Sequence, residues 1–142
     1  MLIGFTTRDH SLARITKRQL TSVGFDMSLS APKEKKAFMK ADNCILYEDG
    51  VLYTSGTHKG ETLFAFLKEA DLYPTAMVFI NDKRHNIEQV EETCKQRGVP
   101  FVGLRYNFLD EKVKAFDPKV AKVQRDSFFN IISDEEALKK IN

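Results

Sequence analysis

The sequence predicts an α/β protein in which a doubly wound, mainly parallel sheet carries helices on both faces. Three observations support that expectation. Short continuous apolar runs at residues 2–5, 76–80 and 100–104 read as strands buried on both sides. Between them lie segments whose apolar residues recur at helical spacing. Each run also ends abruptly in polar side chains: Thr6, Thr7 and Arg8 after the first, Asn81 and Asp82 after the second, Arg105 after the third. In such sheets ligands bind beyond the C-terminal ends of the strands, so these residues are the first functional candidates.

Taken in order, residues 2–5 give the first strand, and Asp9 is placed to cap a helix whose apolar face is Leu12, Ile15, Leu20 and Val23, with Gly24 as its stop. Residues 26–43 lose periodicity around Ser28, Ser30 and Pro32 and predict a loop with one short helix around residues 35–40. Residues 44–47 and 51–54 are β-prone and flank Asp49-Gly50, a strong hairpin signal. A helix over residues 59–70 places Leu63, Phe66 and Leu67 inward, and Tyr73 and Pro74 close the connection to the strand at 76–80. The next helix runs to about Arg97 with Ile87, Val90 and Cys94 inward and Gly98 at its end. After the strand at 100–104, a helix follows Pro118 with Val120, Val123, Phe128 and Ile131 inward, and Ser133 with Glu136 opens a last one. The 142 residues read as a single domain in which residues 26–57 are a loop and hairpin insert rather than part of the framework.

Composition narrows the partners. With 42% apolar and 30% charged residues the chain is globular in character, and 22 basic against 20 acidic side chains leave a net charge of only +2, which argues against a nucleic-acid binder. Lys33, Lys35, Lys36 and Lys40 cluster near the N-terminus and read as a solvated face. Cys44 and Cys94 sit in apolar surroundings and read as buried free thiols. No run approaches membrane-spanning length and no leader is visible, so no membrane partner is expected and the chain as written fits a soluble, reducing compartment.

A hydroxyl after a buried strand, a lysine at a Gly-flanked helix start and an acidic loop after another strand form an order that points toward phosphate. The segments LIGFTTR, SGTHKGETL and MVFINDKRHN resemble the second, third and fourth motifs of the haloacid dehalogenase-like superfamily, most of whose members are magnesium-dependent phosphohydrolases on a Rossmann-type sheet. The resemblance spans about residues 2–105 and is closest to bacterial members of uncharacterised activity. It implies Thr6 and Lys59 as phosphate-binding residues, Asp82 and Asn81 as metal ligands with Asn86 in support, Mg2+ as cofactor and a phosphorylated substrate. Arg8, at the mouth of the expected crevice, offers a planar fork suited to phosphate. His58 and His85 are expected at the surface.

Two departures shape the functional expectation. Asn81 stands where the superfamily's metal loop begins with Asp, and only five residues precede Thr6, which leaves no room for the first motif and its nucleophilic Asp. The expectation is therefore a partial phosphohydrolase, inactive alone, whose sheet lacks the strand between residues 2–5 and 76–80. Direct pairing, a missing N-terminal segment or a homo-oligomer would complete it. The alternatives are a non-catalytic binding or interaction protein on the same fold and, ranked lower, a phospho-receiver domain, in which the acidic residues would precede the hydroxyl.

Overall fold

The computed structural model describes residues 1–32, 38–39, 45–127, 130 and 132–141, the side chains at 38 and 39 excepted. The chain divides into two compact units, Met1–Tyr106 and Asn107–Asn142.

The first unit holds two separate sheets. β1 (Gly4–Thr6) pairs in parallel with β4 (Val51–Tyr53), which pairs antiparallel with β3 (Ile45–Glu48), itself antiparallel to β2 (Phe38–Met39). β5 (Met77–Asn81) and β6 (Phe101–Arg105) form a second, two-stranded parallel sheet. The expected doubly wound, mainly parallel sheet is thus corrected: one sheet is mixed, and β1 and β5 make no direct pairing. The hairpin is not an interruption, since β4 supplies β1 with its hydrogen-bonded neighbour. Its turn works because Asp49 (φ 48°) and Gly50 (φ 78°) both take the left-handed conformation that a two-residue hairpin needs.

Alternation along the strands divides the interior. Ile45, Tyr47 and Leu52 face one core with Leu63, Phe66 and Leu67 of α2 (Lys59–Glu69), Phe79 of β5, and Val90 and Cys94 of α3 (Arg84–Gln96). Leu46, Val51 and Tyr53 face the other way, against Ala13 and Leu20 of α1 (Ala13–Ser22) and Met27. The four-stranded sheet is therefore covered on both sides. On the two-stranded sheet, Phe79 is buried against α3, but Val78 (64% exposed) and Ile80 (63%) on the opposite face are bare, as are Val102 and Leu104. The expectation of a strand buried on both faces at residues 76–80 holds for one face only.

Local signals account for most boundaries. The Asp9 carboxylate accepts from the Ser11 amide at the single 3-10 turn that leads into α1. Leu20 of α1 packs inward as expected, but Leu12, Ile15 and Val23 are exposed and the buried residues of the helix are Ala13 and Thr16. Phe38 and Met39, within the short helix expected around residues 35–40, are extended in β2, and the other residues of that segment lie outside the described residues. Cys44, Phe128, Ile131 and the lysine cluster lie outside the described residues.

The second unit comprises α4 (Asp110–Lys114), α5 (Pro118–Asp126) and α6 (Asp134–Ile141). Asp117 caps α5 through the Lys119 amide, Ser133 and Glu136 form a reciprocal capping box on α6, and Gln124 of α5 donates to Asp134. Val120 and Ala137 are its buried side chains among the described residues. No helix among the described residues is long and apolar enough to cross a membrane.

Candidate functional site

The centre of the site is Lys59, the first residue of α2. Its backbone N–H donates to Gln89 Oε1 of α3 at 3.0 Å, and Gly60 beside it lets the two helices touch, since a Cβ there would run into the Thr93 hydroxyl and the Gln89 carbonyl. The close crossing drives the Lys59 side chain into the interior, where it is 2% exposed and its Nζ lies 4.0 Å from the centroid of the Phe5 ring. Phe5 in turn meets Phe79 of β5 edge to face, ring centroids 5.8 Å apart. Burial pulls the Lys59 pKa from 10.5 to about 8, and Asp82 opposes that shift through its charge. Among the described residues the ammonium has no hydrogen-bond acceptor.

The loop before Lys59 is pinned by hydroxyls. Thr54 donates to the Thr6 carbonyl, Thr57 donates to the Thr54 carbonyl, and the Thr57 and Thr62 hydroxyls lie 2.7 Å apart. Ser55 bonds the Asp9 carboxylate, which Ser11 and Ser55 together hold down at about 2. His58 caps α2, its Nδ1 accepting from the Glu61 amide, and His85 is exposed.

The other candidate residues have more definite occupations than their positions in the sequence suggested. Thr6 follows Phe5 at the end of β1, and its hydroxyl oxygen accepts from the Arg8 amide at 3.2 Å, which leaves its own proton to donate. The Arg8 guanidinium turns to α1, where Nη1 donates to Thr16 Oγ1 at 2.9 Å and Gln19 Oε1 at 2.6 Å. Asn81 Oδ1 accepts from the Lys83 amide and from Asn86 Nδ2, so the amide carbonyl is committed to the turn that opens α3. Asn86, itself buried, supports that turn. Asp82 is exposed.

Magnesium requires several hard oxygen ligands. Asp82 offers one carboxylate, the Asn81 oxygen already receives two hydrogen bonds, and no group of three or more His, Cys, Asp or Glu side chains among the described residues could hold a metal. These residues do not make a magnesium site by themselves. Phe5 and Gln89 were not singled out from the sequence, because a ring in an apolar run and a polar residue on a helix look like ordinary core and surface positions.

A family model described as "Protein of unknown function (DUF2608)" matches residues 1–138. A Chlamydia trachomatis serovar D relative, described as "Putative outer membrane protein", is 26% identical over 137 residues, covering 96% of this chain and 51% of the relative. Relatives described in the same words occur in Chlamydia muridarum, at 26% identity with 96% and 51% coverage, and in Chlamydia pneumoniae, at 23% identity with 94% and 50% coverage. The chain spans about half the length of the curated relatives it matches. No solved structure matches it. These findings overturn the resemblance to haloacid dehalogenase-like phosphohydrolases: neither the family's description nor its relatives' names indicate a hydrolase or phosphatase. The expectation of a magnesium-dependent phosphatase falls with it, as does that of a non-catalytic protein on the same fold. The chain belongs to the DUF2608 family.

Proposed function

We propose that the first unit binds an oxyanion, with the Lys59 ammonium as its charge. The observation behind this reading is Lys59 itself: the residue is 2% exposed, its ammonium rests on the Phe5 ring, and it has no hydrogen-bond acceptor among the described residues. A buried charge left unpaired is costly, and an anion beside it recovers part of that cost while strengthening in the low-dielectric surroundings. Phosphate and sulfate groups suit such a site, because both present several acceptor oxygens. Arg8 contributes by fixing α1 against the strand end rather than by touching the ligand. The proposal concerns binding and includes no reaction.

The test is thermal unfolding with inorganic phosphate or sulfate, with and without magnesium. An anion bound only by the native state at a hundred times its Kd adds about 2.7 kcal/mol, a shift of several degrees. Lys59→Met should abolish the shift, and Arg8→Lys should leave it in place. Equal shifts in native protein and Lys59→Met would refute the assignment. A shift that needs magnesium would mean that Asp82 takes part through a bound cation.

A further inference from the structure

We infer that a cavity between the C-terminal ends of α2 and α3 binds a small apolar carboxylate, with Lys68 and Arg97 holding the charged end and Phe64, Leu67 and Val99 the apolar body. The inference does not depend on the anion site. Lys59 and Lys68 stand toward opposite ends of α2, about 13 Å apart along its axis.

The cavity follows from how the two helices stop. Past α2 the Leu72 amide donates to the Leu67 carbonyl and the Asp71 amide to that of Lys68, with Asp71 in the left-handed conformation (φ 55°). Past α3 the Val99 amide donates to the Cys94 carbonyl and the Gly98 amide to that of Lys95, with Gly98 left-handed (φ 67°). The same cap thus occurs twice, and it brings an apolar residue back toward the last turn of its own helix. Leu72 and Val99 therefore return beside Phe64 and Leu67, and together with Tyr73 they line a cavity of about 330 Å3.

Volume and charge narrow the occupant. Small-molecule pockets span about 300–1,000 Å3, so this one suits a ligand with a single short apolar body. The charged side chains of the lining are Lys68 and Arg97, both cations. The carbonyls of Leu67, Lys68, Cys94 and Lys95 already accept backbone amides, so neither cation is needed to satisfy them. The Asp71 carboxylate is engaged by the Tyr73 hydroxyl. Arg97 lies over the Phe64 ring, its Cζ 5.0 Å from the centroid, and its Nη2 meets a Glu61 carboxylate oxygen at 3.2 Å. The guanidinium therefore already seats a carboxylate, and Lys68, which has no acidic partner among the described residues, offers a second cation to one placed in the cavity. Inorganic phosphate would leave the apolar lining in water, and a neutral apolar molecule would leave the charges unused.

Octanoate below its micelle concentration tests this by NMR. It should shift the methyl resonances of Leu67, Leu72 and Val99 saturably. Octanol, which lacks the charge, should bind at least about tenfold more weakly, the worth of one charge-assisted hydrogen bond. Lys68→Glu, a change on an exposed side chain, should weaken octanoate to a similar degree, and the Lys59 side-chain resonance should not move. No saturable shift at the three residues, equal binding of octanoate and octanol, or an affinity unaffected by Lys68→Glu would each overturn the inference. So would a moving Lys59 resonance with still methyls, because the carboxylate would then sit at Lys59.

Discussion

The two sheets of the first unit use similar apolar strands and reach different degrees of completion. The four-stranded sheet sends Ile45, Tyr47 and Leu52 into one core and Leu46, Val51 and Tyr53 into another, so both faces are dry. The two-stranded sheet buries Phe79 but leaves Val78, Ile80, Val102 and Leu104 in water. The hairpin explains the difference: β3 and β4 bring their own neighbours at the cost of a two-residue turn, whereas β5 and β6 are joined through α3 and pair, among the described residues, with no further strand. The line between complete and incomplete runs through Phe5, Lys59 and Phe79.

Core truncations should show the contrast most strongly. Phe66 is fully buried and stacks on Tyr47 at 4.5 Å, and Phe66→Ala is expected to cost about 3–5 kcal/mol in chemical denaturation. Lys59→Met comes next and with the opposite sign. The folded protein holds this lysine at about 8 against 10.5 in the unfolded chain, so the unfolded state binds more protons between those values and stability rises with pH across that window. The cost below pH 8 is on the order of 3 kcal/mol. The variant should therefore melt higher at pH 7 and lose the rise above pH 8, which melts across pH 7–10.5 will reveal. A Gly60→Ala substitution, by forcing α2 off Thr93 and Gln89, should cost about 1–3 kcal/mol and raise the exposure of Lys59, seen as faster amine labelling.

Smaller effects belong to the bare face and the surface. Val78→Ser and Ile80→Thr should change the stability of the isolated chain by no more than about 0.5 kcal/mol, although both replace apolar strand residues. A large loss in either would mean that the face is covered. Asp9, half-buried, has its pKa lowered from 3.8 to about 2 by its hydrogen bonds from Ser11, so its contribution is present above about pH 4 and is lost as the pH falls toward 2. Asp9→Asn should flatten that small acid limb and leave neutral stability nearly unchanged.

What could be read in advance follows from the kind of signal each element carries. The hairpin was legible because Asp49-Gly50 needs no tertiary information, and the inward face of α3 because Val90 and Cys94 stand among polar neighbours. The face of α1 was misread because larger apolar side chains, Leu12, Ile15 and Val23, outweigh Ala13 and Thr16 in any hydrophobic count. The small residues nevertheless sit closest to the sheet, where Tyr53 reaches the Ala13 carbonyl. The run at 76–80 reads the same whether its second face is covered or not. In the candidate site, the order of Thr6, Lys59 and Asp82 drew attention to Lys59, but nothing in sequence shows that Arg8 and Asn81 are already engaged or that the Lys59 ammonium lacks an acceptor among the described residues.

The central claim is that Lys59 is a buried cation waiting for an anion, and its own titration tests that most directly. Following the Lys59 side-chain resonance by NMR should give a pKa near 8 in the free protein, rising toward 10.5 when saturating inorganic phosphate is added. A value near 10.5 without phosphate, unmoved by its addition, would contradict the account.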